Sequence, residues 1–90
     1  MKQLTARILE GQNVLAEDVT VWIYEQIDRA GLQSWYGHFE LEHLPPAIFD
    51  GQGPFGIEMS DGRSGQFLVK EIELMASPVS VSILSTGPLK

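Results

Sequence analysis

The chain contains no cysteine, which excludes disulfides and thiolate metal sites and fits a reducing compartment. Basic residues are scarce. Six Lys and Arg stand against twelve Asp and Glu, for a net charge of −6 and a pI near 4.6. The six never cluster. A nucleic-acid binder needs a basic footprint to neutralise phosphates, and an anionic membrane surface attracts basic segments. Neither partner is expected of this acidic protein. No apolar run approaches the roughly 18 residues that span a bilayer. The N-terminal MKQLTARILEGQN shows no apolar core of a signal peptide. A cytoplasmic location is therefore expected. The Gly-x-Ser-x-Gly elbow, the phosphate loop, the dinucleotide fingerprint and the zinc-protease motif are all missing. No acid, base and nucleophile converge, so no catalytic residue, metal or cofactor is expected.

What is present reads as one folded domain over residues 1–90. Hydrophobic content is 43% with 20% charged, enough apolar surface for one small core. The strongest local signal is Phe55 to Leu74. Phe55, Ile57 and Met59 share one face, with Glu58 and Ser60 on the other. A turn cluster follows, Asp61-Gly62-Arg63-Ser64-Gly65, and then Phe67 and Val69. Period-2 alternation on both sides of a Gly-rich turn predicts a β-hairpin. An odd loop of three or five residues keeps the two apolar faces together. Beyond it the phase slips, because Ile72 and Leu74 also read as inward. One extra residue near Lys70-Glu71 restores the pattern, so a β-bulge is predicted there.

Leu4 to Glu10 alternates as a short strand before the turn Gly11-Gln12-Asn13. Val19 to Ile27 fits a helix by the spacing of Val19, Trp22, Ile23, Ile27 and Ala30. It also fits a strand, because Val19 through Tyr24 are all β-branched or aromatic, and the strand is preferred. Asp28-Arg29-Ala30-Gly31 resembles a type I turn. Ser34 to Glu42 alternates clearly. Trp35, Gly37, Phe39 and Leu41 face one way; Tyr36, His38, Glu40 and Glu42 face the other. A four-residue turn sets Ile27 opposite Leu32, Tyr24 opposite Trp35 and Trp22 opposite Gly37. That register buries Trp22 and Tyr24 beside Trp35 and turns Val21 and Ile23 outward. His43 to Pro54 carries Pro45-Pro46, Asp50-Gly51 and Gly53-Pro54 and predicts a crossing loop. Its Leu44, Ile48 and Phe49 are expected to cap an open end of the core. After Ala76-Ser77-Pro78, a last strand alternates Val79, Val81 and Ile83 with serines, and Thr86-Gly87-Pro88-Leu89 ends it. Six strand candidates with turn chemistry between them predict an all-β fold, a small antiparallel β-barrel or tight sandwich.

Three constellations could carry function. Asp61, Arg63 and Ser64 offer a carboxylate, a guanidinium, a hydroxyl and turn N–H groups to a small ligand or anion. The plainer reading is a turn whose Asp caps the loop and whose Arg pairs with a nearby Glu. His38, Glu40 and Glu42, with His43 next, place possible metal ligands along one strand face. Adjacent side chains would stand about 7 Å apart, too spread to close a site unaided. Glu40 and Glu42 also form a carboxylate pair, with no nucleophile near them in sequence. Val21, Ile23, Tyr36 and His38 make a partly apolar outer patch in the predicted register, suited to a protein partner or a homo-oligomer contact.

Trp35 through Leu89 resembles small bacterial β-barrel domains without an assigned activity, through WYGHFEL at 35–41, DGRSGQFLV at 61–69 and TGPL at 86–89. The resemblance implies a fold and no activity. The barrel domains that bind cyclic dinucleotides, the PilZ type, carry an Arg-x-x-x-Arg segment and an Asp/Asn-x-Ser-x-x-Gly strand. Here Ser64 comes three residues after Asp61 and no Arg-x-x-x-Arg occurs, so the chain matches neither motif. The expectation is a non-enzymatic interaction or assembly module, with ligand binding at 61–65 as the alternative.

Overall fold

The alternating runs become six strands among the described residues. A computed structural model describes residues 2–27, 29–50 and 53–90. Strands β1 (Lys2–Glu10), β2 (Asn13–Ile27), β3 (Gln33–Leu41), β4 (Phe55–Met59), β5 (Ser64–Glu73) and β6 (Val79–Ser85) pair antiparallel. They form a closed barrel in the order β1-β2-β3-β6-β5-β4. Three hairpin-linked strands with β4 returning beside β1 make a Greek key. The return is the connection after Leu41, which holds the short helix α1 (Pro46–Asp50). Closure removes the open edges that a small sheet would otherwise present to other chains.

The period-2 pattern builds the core directly. Ala6 and Ile8 come from β1, Phe39 from β3, Phe55 and Ile57 from β4, Phe67 from β5, and Val81 and Ile83 from β6. Full burial of each large side chain contributes about 1.5–3 kcal/mol. Phe39 meets Phe67 edge-on at 5.9 Å, and Phe55 lies 5.7 Å from Phe67. Ile48 of α1 is fully buried and Leu44 packs on the core, so both close the barrel beyond Leu41. Phe49 does not; it is exposed. The helix places its two consecutive residues on different sides, and only Ile48 points inward. Gly51 and the end of the Asp50-Gly51 turn signal lie outside the described residues, as does Asp28 of the expected type I turn.

Val19–Ile27 is strand, as its β-branched and aromatic content favours. The strand starts earlier than the sequence shows, at Asn13. Two irregularities hide this first half, because they break its alternation. Leu15 is an extra residue between the pairs Leu9↔Val14 and Ile8↔Ala16. Glu17 and Asp18 together oppose Arg7 between the pairs Ile8↔Ala16 and Ala6↔Val19, with Asp18 at φ 54°. Lys70 is the extra residue on β5, between Val69↔Ile83 and Glu71↔Ser82, where the phase slip predicts a bulge. The bulge lets Val69 and Ile72 both pack on the core. Leu74 lies past the strand and is exposed, against the inward expectation.

The β2–β3 register differs from the expected one by a single residue. Ile27 pairs with Gln33, Tyr24 with Tyr36, Trp22 with His38 and Ile23 with Gly37. Five residues, 28–32, separate the strands instead of four. With a side-chain period of two, a one-residue shift sends every side chain of the strand to the other face. Val21 and Ile23 therefore lie in the core, and Trp22 and Tyr24 stand outside. Trp35 stays inside. Its indole lies over the bare Gly65, where an added Cβ would come 3.2 Å from the ring. Its Nε1–H donates to the Gly87 carbonyl at 2.8 Å. The segment after β6 then runs back along β5, with Ser64 and Lys90 exchanging both backbone hydrogen bonds.

Candidate interaction face

The register places three parallel rows on the outside of the barrel. The first crosses four strands as Tyr24–Tyr36–Leu84–Leu68. The second runs Gln3–Trp22–His38–Ser82–Glu71. The third holds Glu40, Ser80 and Glu73. Residues two apart along a strand lie roughly 7 Å apart, so the face grades from apolar to acidic over about 13 Å.

The aromatics on this face stack on each other. The Tyr24 and Tyr36 rings are 5.0 Å apart with planes 6° from parallel. Trp22 and His38 are 4.8 Å apart and 13° from parallel. The spacing is that of neighbouring strands, so each ring stands upright on the sheet against its cross-strand partner. Such pairs add about 0.5–1.5 kcal/mol beyond simple burial. They also hold the side chains in one geometry. The row is still open: Tyr36, Leu68 and Leu84 are 39%, 40% and 45% exposed. A shallow depression of about 300 Å³ lies between Tyr36, Lys70 and Leu84.

The structure places the four residues of the expected outer patch on opposite sides of the sheet. Tyr36 and His38 are on the outer face. Val21 and Ile23, fully and almost fully buried, are not. Their places are taken by Trp22 and Tyr24. Strands β6 and β5 add Leu84 and Leu68, whose place beside Tyr36 comes from strand pairing and not from alternation alone. A signal for β2 was available. Thr20 and Gln26 share the parity of Trp22 and Tyr24 and mark that side as the wetter one, while Val19, Val21 and Ile23 are aliphatic without a break.

The loop at 61–65 is built otherwise. The Met59 N–H donates to the Arg63 carbonyl at 2.8 Å and the Gly62 N–H to the Met59 carbonyl at 3.0 Å. With Gly62 at φ 93°, this is the three-residue hairpin loop with a left-handed third position. An odd loop is what keeps Phe55 opposite Phe67. Asp61 accepts the Arg63 N–H at 3.1 Å and the Arg63 Nε–H at 2.9 Å. The Arg63 guanidinium also pairs with Glu25 on β2. The hydrogen bond to Glu25 first, and then Asp61, raise the Arg63 pKa above its ordinary value, against a lowering from burial. Ser64 and Gly65 belong to β5 and not to the loop.

Among the described residues no group of three or more His, Asp or Glu side chains is placed to hold a metal ion. His38 is drawn into the Trp22 stack, while Glu40 lies further along β3 and Glu42 just past its end. No helix of the described residues is long and apolar enough to cross a membrane. No family model, no curated protein and no solved structure matches this chain.

Proposed function

We propose that this chain is a non-enzymatic protein-interaction module that docks a partner on the outer face of β2, β3, β6 and β5. The observation that carries the reading is the row Tyr24–Tyr36–Leu84–Leu68. It is apolar, continuous across four strands and left open at three of its four positions. Interfaces concentrate aromatic side chains at their centre, and rigid rings bind at low cost in side-chain entropy. Here the stacking orders Trp22, Tyr24, Tyr36 and His38 before a partner arrives. A cytoplasmic setting accords with the cysteine-free composition.

An anion-binding role for Asp61, Arg63 and Ser64 has less support. The guanidinium is already matched by two carboxylates, and the Ser64 backbone is paired with Lys90. An incoming anion would have to displace Asp61 or Glu25.

Leu84→Glu tests the docking face, because it puts a charge at the centre of the row and leaves the core alone. The wild-type chain is expected to form a complex, with a partner or with itself, that the variant loses by tenfold or more in affinity; a buried unpaired charge at an interface costs roughly 2 kcal/mol or more. The variant should melt within a few degrees of wild type. If wild type sediments as a monomer at high concentration, and wild-type and Leu84→Glu baits recover the same proteins, the reading fails.

A further inference from the structure

We infer that the partner of this face is a basic protein segment, whose Arg or Lys side chains lie in an acidic groove beside Trp22 while its apolar residues cover the Tyr36–Leu84 row. The inference rests on the docking reading and specifies the partner. The groove, about 650 Å³, borders the second and third rows and runs between Trp22 and Ser77-Pro78. Asp18, Glu40 and Glu42 line it, and His43 is its other titratable wall. The bulge opposite Arg7 is what brings Asp18 to this side, since an extra residue re-aims the side chains that follow it. Glu71 and Glu73 extend the same charge across β5. Lys70 is the one basic side chain described on the outer face of β2, β3, β6 and β5; Arg7 of β1, across from Asp18, is already paired with Glu58.

Charge decides between occupants. A second copy of the chain would bring its own acidic rows to the contact, with only Lys70 to answer them. A neutral apolar segment would leave the carboxylates beside Trp22 unmatched at the rim. A basic segment answers both rows at once. Its apolar side chains meet the tyrosines and leucines, and its cations meet the carboxylates. The Trp22 indole at the groove wall gives a guanidinium an aromatic face as well as a counter-charge. An anionic partner is repelled by the same rows.

The test uses two labelled synthetic peptides of equal length, one alternating Leu with Arg and the other alternating Leu with Glu. The full chain should bind the Leu/Arg peptide and not the Leu/Glu peptide, and added salt should weaken the binding. Glu40→Gln/Glu42→Gln should weaken it by about five- to tenfold, the size expected for two exposed ion pairs. Glu10→Gln removes an exposed charge at the far end of β1 from Gln3, away from the groove, and should leave the affinity within about twofold of wild type. Equal binding by Glu40→Gln/Glu42→Gln, with loss in Leu84→Glu, would overturn the basic partner and leave the docking face standing. A wild-type dimer without peptide, dissolved by Leu84→Glu, would have the same consequence and name a second copy as the occupant. Failure of both peptides, with no self-association and no effect of Leu84→Glu, would remove the docking reading itself.

Discussion

Trp22 on β2 and Trp35 on β3 belong to one hairpin, yet they face opposite sides of it. Trp35 is 2% exposed, lies over Gly65 and donates its indole N–H to Gly87. Trp22 stands outside, held by His38. Both are large aromatics in alternating sequence, and both would suit a core by hydrophobicity alone. What separates them is one residue of loop length between Ile27 and Gln33. In a β-structure the interior is therefore set by parity before it is set by polarity. The difference also shows how a small barrel provides a binding face: it closes its core with one set of aromatics and leaves the other on the outside.

Substitution of the two tryptophans should show the contrast most strongly. Trp35→Ala is expected to cost about 3–5 kcal/mol, because it leaves a cavity at one end of the barrel and the Gly87 carbonyl without its donor. Trp22→Ala is expected to cost only about 1 kcal/mol, the worth of a stacked pair at the surface. Denaturant unfolding of both variants measures this directly. Equal costs would mean that the outer stack is as much a part of the folding core as Trp35, and would weaken its assignment to binding.

The fold is legible in the sequence wherever the two parities of a strand differ. On β3, Trp35, Gly37, Phe39 and Leu41 alternate with polar or charged neighbours, apart from Tyr36, and the three large side chains among them are buried as expected. On β4 the same holds for Phe55, Ile57 and Met59. The bulge at Lys70 is legible because Val69 and Ile72 are three residues apart, and only an inserted residue lets both face the core of a strand. Residues 19–24 give little contrast, since Thr20 is the one polar residue among them and both parities are otherwise apolar. There the register depends on a turn that propensity alone does not measure. The first half of β2 is hidden by two bulges within a few residues. Of the candidate face, Tyr36 and His38 are readable, and Leu68 and Leu84 only in part. Their outward side is set by alternation with Phe67, Val69 and Ile83, but their place in one row with Tyr36 follows from pairing that only the closed barrel fixes.

Gly37 offers a way to join the two faces in one measurement. It faces inward between the outward Tyr36 and His38, and a Cβ there would lie 2.1 Å from the Trp22 carbonyl oxygen. The obstacle is backbone, so β2 and β3 would have to part. Gly37→Ala is expected to cost roughly 3 kcal/mol, toward the upper end of overpacking effects. It should also loosen the Trp22–His38 stack, read as a change in near-ultraviolet circular dichroism per tryptophan. Loss of stability with an unchanged aromatic signal would show that the outer stack does not depend on close approach of these strands.

The smallest effect is expected at the β4–β5 loop, for all its density of polar groups. Arg63 links Asp61 in that turn to Glu25 near the end of β2, and Glu25 pairs with Trp35 in the strand register, so the ion pair sits at the end of the barrel beside Trp35 and not on the Trp22 face. It sits at the surface, where ion pairs contribute about 1 kcal/mol or less and salt screens them. A base whose pKa is raised on folding adds stability at every pH below its ordinary value, and loses it only as pH rises through the raised one. For Arg63 that lies far above neutrality, so its guanidinium introduces no pH dependence near pH 7. Arg63→Ala should therefore lower stability by less than about 1 kcal/mol, by an amount that shrinks with added salt. It should leave peptide binding at the Trp22 face unchanged. Thermal shifts across a panel of anions and nucleotides should be the same for wild type and variant. A ligand that stabilises wild type and not Arg63→Ala would restore the loop as a site, and would set a second function on the outside of the same barrel.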